Sequence, residues 1–190
     1  MELVVYSLLG LEYKIVSKDT LSHPVHGEIW AGTPDLKIES AAERLVAEIK
    51  CYEKKKFAQY TDFLNKPLTD IYTLEDKLTE FAKDWPAEYW QIVSNAHILG
   101  MTEGEAIPFM PSLDMAKEVQ DMAADYEGPD QWKYRFIYES DPADLNFLPE
   151  GGHYKPLNFF RFEIPQADLD LCEERVTMAG ALITNFKLYN

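Results

Sequence analysis

The chain has 190 residues, 46% of them hydrophobic and 13% aromatic, and a net charge of −15 from 33 acidic and 18 basic residues. This apolar content is enough for a core and excludes a disordered chain, while the acidic balance excludes direct binding to nucleic acid or to an anionic membrane. Two cysteines far apart in sequence, Cys51 and Cys172, fit neither a disulfide framework nor a zinc motif. The length favours one domain over residues 1–190, with the loop at 100–111 as the alternative boundary between two lobes.

The N-terminal segment is not expected to act as a signal peptide. It begins Met-Glu-Leu-Val-Val-Tyr, so an acid stands where a signal peptide has its basic region. No run of the sequence approaches the roughly 18–20 apolar residues that a membrane span requires. We therefore expect a soluble, cytoplasmic protein.

The first 40 residues predict short strands and a loop. The apolar runs at 3–9 and 11–17 are separated by Gly10, and they predict either a tight hairpin or one bent strand. Proline and glycine residues between 19 and 37 favour a loop that holds one short strand around Glu28–Ala31.

Capping signals predict four helices in the middle of the chain. Ser40-Ala-Ala-Glu43 has the form of a capping box and predicts a helix that runs to about Leu64. Thr73-Leu-Glu-Asp76 begins a second helix, and Pro86 either ends it or is the first residue of the next helix. Residues 87–99 form the third helix with Gly100 as its stop, 100–111 is a loop, and Ser112 caps a fourth helix that ends at Gly128-Pro129.

The C-terminal third predicts further strands. Alternating apolar and polar residues at 132–139 and 157–164 are typical of strands. A short helix follows Pro165, and the alternation after Gly180 predicts a last strand, with a helix as the alternative. This order favours an α+β fold, in which a mostly antiparallel sheet from the N- and C-terminal segments packs against four to five helices from the middle.

Histidines are the weak catalytic candidates in a chain that lacks the common nucleotide, zinc-protease and nucleophile motifs. His23 and His26 lie close to Glu28, and such a set can ligate a metal only with further converging ligands. Either imidazole also suits general-base chemistry, because it titrates near neutral pH. The prediction is nevertheless no metal and no cofactor.

The loop at 150–155 is a second candidate. Its sequence is Glu-Gly-Gly-His-Tyr-Lys, in which paired glycines allow close backbone approach and His153 supplies a donor. An enzyme, a hydrolase or transferase, with a site in this loop and a histidine from 23–26 is therefore the first alternative function. Weaker still are Cys51 beside a basic run and two pairs of neighbouring acids, which are Glu103 with Glu105 and Asp141 with Asp144.

The leading prediction comes from the distribution of charge. Residues 98–150 hold 12 acids and three bases. Within them, one predicted helical face carries carboxylates at steps of 4, 3 and 4, and aromatic residues follow; the set comprises Asp114, Glu118, Asp121, Asp125, Tyr126 and Trp132. Like charges at these spacings repel, and a basic partner that covers them explains their presence.

We therefore expect a non-enzymatic binding protein that engages a basic protein through this surface. Immunity proteins, antitoxins, inhibitors and nucleic-acid mimics share this physics, since a protein built to hold phosphates also holds well-spaced carboxylates. The second alternative is a subunit of a homo-oligomer, in which exposed aromatic residues are buried against other copies.

Overall fold

The fold consists of two compact units. The structure is a computed structural model that describes residues 2–10, 12–16, 19–141, 144, 146–148 and 153–188, with the backbone alone for 2–4 and 184–188. Unit 1 comprises Met1–Ile49, Pro67–Ile107 and Phe159–Asn190, and unit 2 comprises Lys50–Lys66 and Pro108–Asn158. One passage of the chain between the units, from Ile107 to Pro108, falls inside the predicted boundary loop at 100–111.

The fold class is α+β, as predicted. Five strands form one sheet in the order β1-β4-β5-β6-β7, in which β1 with β4, β4 with β5, and β6 with β7 are antiparallel. The strands β2 and β3 form a separate antiparallel hairpin. The strand bounds are Lys14–Ile15 (β1), Leu21–Ser22 (β2), Ala31–Gly32 (β3), Leu36–Glu39 (β4), Arg44–Cys51 (β5), Glu103–Phe109 (β6) and Phe160–Glu163 (β7).

The helices include three that local signals predict correctly. Thr73 and Asp76 form the reciprocal capping box of α3, Gly100 ends α4 with a positive φ of 62°, and the Ser112 hydroxyl accepts from the Met115 amide at the start of α5. The helix bounds are Glu2–Leu8 (α1), Lys54–Leu64 (α2), Leu74–Asp84 (α3), Pro86–Leu99 (α4), Leu113–Asp125 (α5), Arg135–Tyr138 (α6) and Gln166–Leu188 (α7), with a 3₁₀ turn at Gln131–Tyr134.

The predicted helix from Ser40 to Leu64 is wrong in its first half. Ser40 accepts from the Glu43 amide as a capping residue does, but it does so in the turn between β4 and β5. The segment Leu45–Ile49 is buried on both faces of the sheet, and cross-strand pairing with β4 prevails over the helical spacing. The helix begins only at Lys54.

Other predicted segments also differ. The run at 3–9 forms α1 for most of its length, and the short strand expected at Glu28–Ala31 is β3 at Ala31–Gly32, with turns before it. The segment 100–111 contains β6, although its glycine and prolines suggested a loop. β6 pairs with β7, and this non-local pairing carries no local signal.

The alternating residues at 132–139 form the 3₁₀ turn and α6 instead of a strand. The side chains of Trp132, Tyr134 and Phe136 are exposed and that of Tyr138 is half-buried, so the alternation does not reflect a buried sheet face. Residues 166–188 form one helix, so the last predicted strand is wrong and its helical alternative is confirmed. The prediction at 157–164 is confirmed in β7, where Phe160 and Phe162 are buried and Arg161 is exposed.

Unit 1 is organised around α4, which contacts α3, α7 and β3. In its core the ring of Phe81 lies 5.8 Å from Tyr89, 5.4 Å from Phe160 and 5.6 Å from Phe162, mostly edge to face. The carboxylate of Glu48 in β5 is also buried here, and it accepts hydrogen bonds from side chains of α4. These contacts fix the position of α4, which carries His97.

Unit 2 has a smaller apolar cluster. Phe57 of α2, Met110 and Leu148 are buried together, and Tyr52 and Tyr154 pack against them. Among the described residues, no helix combines the length and the apolarity needed to cross a membrane.

Candidate functional site

Three of the four histidines of the chain lie together in unit 1. His23 Nε2 lies 3.1 Å from His97 Nδ1, and His26 Nε2 lies 2.9 Å from Glu173 Oε1. The other oxygen of Glu173 lies 3.6 Å from His97 Nε2. We call His23, His26, His97 and Glu173 the histidine cluster; it joins the β2–β3 hairpin to α4 and α7.

The backbone fixes the tautomers in the histidine cluster. His23 Nδ1 accepts from the amides of Val25 at 3.2 Å and His26 at 3.0 Å. Neutral His23 therefore carries its proton on Nε2 and donates to His97 Nδ1. Neutral His97 then carries its own proton on Nε2, which faces Glu173. The result is a chain of donors that runs from His23 through His97 to a carboxylate.

Trp30 covers the hydrogen-bonded rings of His23 and His97. Its ring stacks on His23 with centroids 4.6 Å apart and planes 6° apart, and it lies 4.6 Å from the ring of His97. The indole Nε1 donates to Ser94 Oγ of α4 at 2.9 Å. Trp30 is 4% exposed, so the inner side of the cluster is dry, while the side chain of Glu173 is 44% exposed. The cluster therefore has one buried end, His23, and one end in solvent.

Burial lowers the pKa of His23, and the neighbouring imidazoles of His97 and His26 lower it further. The carboxylate of Glu173 acts in the opposite direction, with a smaller effect. His23 is therefore neutral at neutral pH. In the part of the chain that the structure describes, no group of three or more histidine, cysteine or acidic side chains is arranged to hold a metal ion.

The sequence predicted half of this cluster. His23 and His26 were candidates, but Glu28, their proposed partner, is exposed in the turn. Their partners instead are His97 and Glu173, which lie 74 and 147 residues away in sequence from His23 and His26 respectively. No local pattern marks such a distance.

The histidine of the 150–155 loop has different neighbours. His153 belongs to unit 2, where its ring lies 4.0 Å from that of Tyr154 and its Nε2 lies 3.8 Å from Asp62 Oδ1. The side chain of His153 is 80% exposed. The preceding Glu150, Gly151 and Gly152 lie outside the described residues.

The minor candidates have structural surroundings. Buried Glu105 accepts from Tyr13 at 2.6 Å and from Arg161 at 3.0 Å, so it is part of a hydrogen-bonded group on the sheet. Cys51 is exposed at the end of β5 rather than inside a helix, and Cys172 is buried. Asp141 and Asp144 are both exposed.

A second candidate lies in unit 2, on the outer side of α5. Asp114, Glu118, Asp121 and Asp125 are all exposed, whereas Ala116 and Ala123 form the buried side of the helix. The four acids follow one another at steps of 4, 3 and 4, so they share one face.

Exposed aromatic residues lie at the end of α5 and on the elements that pack against it. The 3₁₀ turn and α6 pack against α5, and the ring of Tyr126 lies 5.3 Å from that of Tyr134 at 85°. The Gln120 side chain of α5 donates to two backbone oxygens at the C-terminal end of α6, those of Ile137 at 3.1 Å and Ser140 at 2.7 Å. Large apolar side chains nevertheless remain in solvent, with exposed fractions of 66% for Met122, 70% for Trp132 and 72% for Phe136.

Two of the three basic residues of this region pair with acids outside α5. Lys133 Nζ lies 3.0 Å from Asp130, and Arg135 Nε lies 2.7 Å from Glu139, so neither is paired with the four acids of α5. We call the exposed set of Asp114, Glu118, Asp121, Met122, Asp125, Tyr126, Trp132 and Phe136 the acidic aromatic surface. All of its members belong to unit 2.

Comparison with known proteins adds no relative, since no family model, no curated protein and no solved structure matches the chain.

Proposed function

We propose that the protein binds a basic partner protein through the acidic aromatic surface of unit 2. The observation that supports this most strongly is the exposure of Trp132 and Phe136, at 70% and 72%, on elements that pack against the helix of the four acids. Large apolar side chains left in solvent, together with charged residues, are typical of a protein-binding surface.

Charge complementarity selects the class of partner. The segment 113–141 contains eight acidic and three basic residues, and two of those bases are paired within the segment. Neither Lys133 nor Arg135 therefore has to be displaced from the four acids of α5 when the cations of a partner bind there. Lysine- and arginine-rich surfaces fit this arrangement, and their attraction speeds association at low salt.

The aromatic residues supply the affinity in this proposal. Tryptophan is enriched among residues that dominate binding energy, because its large ring buries much area at little entropic cost. Arginine in the partner can also stack on such a ring. The carboxylates then select a partner of positive charge and set its orientation, and Trp132 and Phe136 slow its dissociation.

The test begins with capture from host lysate and continues with the purified, identified partner. Its dissociation constant is measured at about 50 and about 300 mM salt, and binding should weaken as salt rises. The double variant Glu118→Lys/Asp121→Lys should weaken binding at least about tenfold at low salt.

The matched control is Glu75→Lys/Glu174→Lys, which reverses two exposed acids of unit 1 and changes the net charge by the same amount. This control should bind nearly as the parent does. An equal loss of affinity in both double variants would show that binding depends on overall charge. It would refute binding through the acidic aromatic surface. A captured species that proves to be a second copy of the chain would refute the partner class and support the oligomer instead.

A further inference from the structure

We propose that the histidine cluster is an acid-sensitive latch, which holds the β2–β3 hairpin against α4 and α7 and releases it when the His23–His97 pair takes up a proton. This inference concerns unit 1 and is independent of the proposed binding function. It follows from the hydrogen bonds that hold the hairpin and from the tautomers that those bonds require.

The hairpin is attached to both helices through the cluster. On the α4 side, His23 bonds to His97 and Trp30 bonds to Ser94. On the α7 side, His26 bonds to Glu173, and the helix backbone at Gly180 approaches so closely that an added Cβ would lie 2.4 Å from Ile29 Cδ1. The turn itself is closed by the amides of Ile29 and Trp30, both of which donate to the carbonyl of His26.

Proton uptake by either member of the His23–His97 pair breaks these bonds. A proton on His97 must go to Nδ1, the atom that accepts from His23, because Nε2 already carries one. His23 must then accept through Nε2 and move its own proton to Nδ1. Two backbone amides point at that Nδ1 from 3.0 and 3.2 Å, so the turn must open.

Direct protonation of His23 has the same result, since it also places a proton on Nδ1. The ionisable groups that face His23 are His26 on the hairpin, His97 on α4 and Glu173 on α7. Glu173 stabilises a positive charge on His26 or His97, but it makes no contact with His23 Nδ1. The cluster therefore tolerates a proton on His26 and is opened by a proton on the His23–His97 pair.

The sign of the effect follows from the neutral state that the fold requires. In the released hairpin His23 returns toward its ordinary pKa of 6.5, whereas in the closed hairpin burial lowers that pKa. The open form thus binds more protons in acid, and closure weakens as pH falls below about 6.5. One proton changes the closing equilibrium by at most about tenfold per pH unit.

Hydrogen exchange of the hairpin amides tests this inference. The protection factors of His23, Ile29 and Trp30, corrected for the intrinsic rate, should fall by up to about tenfold between roughly pH 7.5 and 5.5. The amides of α3 serve as the internal reference and should change much less. The variant His23→Asn retains an acceptor for the turn amides and cannot titrate, so it should lose most of this pH dependence.

The matched control is His153→Asn, which removes an exposed histidine of unit 2 by the same substitution and should keep the parent's pH dependence. If the protection factors of the hairpin amides fell equally with pH in the parent and in His23→Asn, the proposed latch would be refuted. Because His23→Asn is itself a buried substitution, NMR titration of the four imidazoles in the unmodified protein provides an independent measurement. His23 should titrate below the ordinary imidazole value of 6.5, and a His23 that titrates at or above that value would overturn the inference.

Discussion

Gly32 of β3 offers a sharp test of how the hairpin packs on α4. A Cβ at this position would lie 2.2 Å from Asn95 Oδ1 and 2.9 Å from Ile98 Cδ1. Asn95 is 3% exposed, and its Nδ2 donates at 2.5 Å to the wholly buried carboxylate of Glu48. Gln91 donates to the same carboxylate at 2.8 Å. Alanine at position 32 therefore displaces an amide that stabilises a buried charge.

The expected cost of Gly32→Ala combines two effects. Overpacking costs about 1–3 kcal/mol, and weakening a hydrogen bond to a charged group costs about 1.5–3 kcal/mol when the bond is lost entirely. The smaller unfolded-state entropy of alanine returns about 0.4–1 kcal/mol. The free energy of unfolding should thus fall by about 3 kcal/mol, which lowers the melting temperature by roughly 6–12 °C for a chain of this size.

The control for this prediction is Gly100→Ala. Gly100 has a φ of 62° and no neighbour within 4 Å of an added Cβ, so it tests backbone strain without a clash. Its cost should be about 1 kcal/mol. Both variants are compared with the parent by denaturant unfolding.

A double-mutant cycle identifies the cause. Asn95→Ala alone is destabilising because it removes a donor from Glu48, but it also removes the atom that Gly32→Ala meets at 2.2 Å. In the Asn95→Ala protein, Gly32→Ala should therefore cost at least about 1 kcal/mol less than in the parent. If the costs of the two substitutions in unfolding free energy were additive within about 0.5 kcal/mol, a clash between an added Cβ at position 32 and Asn95 would be refuted.

Two further predictions concern the core and the tyrosines of unit 1. Phe81→Ala should lower the free energy of unfolding by about 3–5 kcal/mol, because the ring is fully buried against Tyr89, Phe160 and Phe162; a loss below about 1 kcal/mol in a denaturant titration would contradict this packing. Burial raises the pKa of Tyr89 well above its ordinary value of 10.0, and the hydrogen bond to Asp168 raises it further. The folded protein should thus lose stability as pH rises above 10. Because Tyr89 stays protonated in the fold, Tyr89→Phe should leave the tyrosinate absorbance of the folded protein unchanged. A smaller rise of this absorbance with pH in the variant than in the parent would show that Tyr89 ionises in the fold.

The helices that the sequence predicted correctly are those whose ends carry their own chemistry. Thr73, Ser112 and Gly100 each act through the backbone of the next or preceding turn, so a few residues contain the whole signal. Such local capping is independent of the tertiary fold, so it can be predicted from the sequence alone.

The central strands gave no comparable signal. Leu45–Ile49 is apolar on both faces with Glu48 among its buried residues, and this pattern resembles a buried helix as well as a central strand. In β6, Glu105 is buried because Tyr13 and Arg161 bind its carboxylate, and both of these partners are distant in sequence. The glycines and prolines of 100–111 thus suggested a loop, and non-local pairing and hydrogen bonding override that local signal.

The two functional candidates differ in the same way. The carboxylates of the acidic aromatic surface share one helix, so their common face was predictable from spacing alone. The aromatic residues after them were predicted as a strand, and their exposure in the 3₁₀ turn and α6 appears only in the structure. The histidine cluster draws on a hairpin and two helices, so its full composition requires the fold.

The measurement that tests the proposed binding function most directly compares Trp132→Ala with Phe159→Ala against the purified basic partner. Both residues are exposed aromatics, at 70% and 48%, but Trp132 lies on the acidic aromatic surface and Phe159 lies in unit 1. We expect Trp132→Ala to raise the dissociation constant by about thirtyfold, which corresponds to about 2 kcal/mol, without changing the unfolding midpoint. Phe159→Ala should bind as the parent does. Unchanged affinity in Trp132→Ala, or the same loss of affinity in both variants, would contradict binding through the acidic aromatic surface.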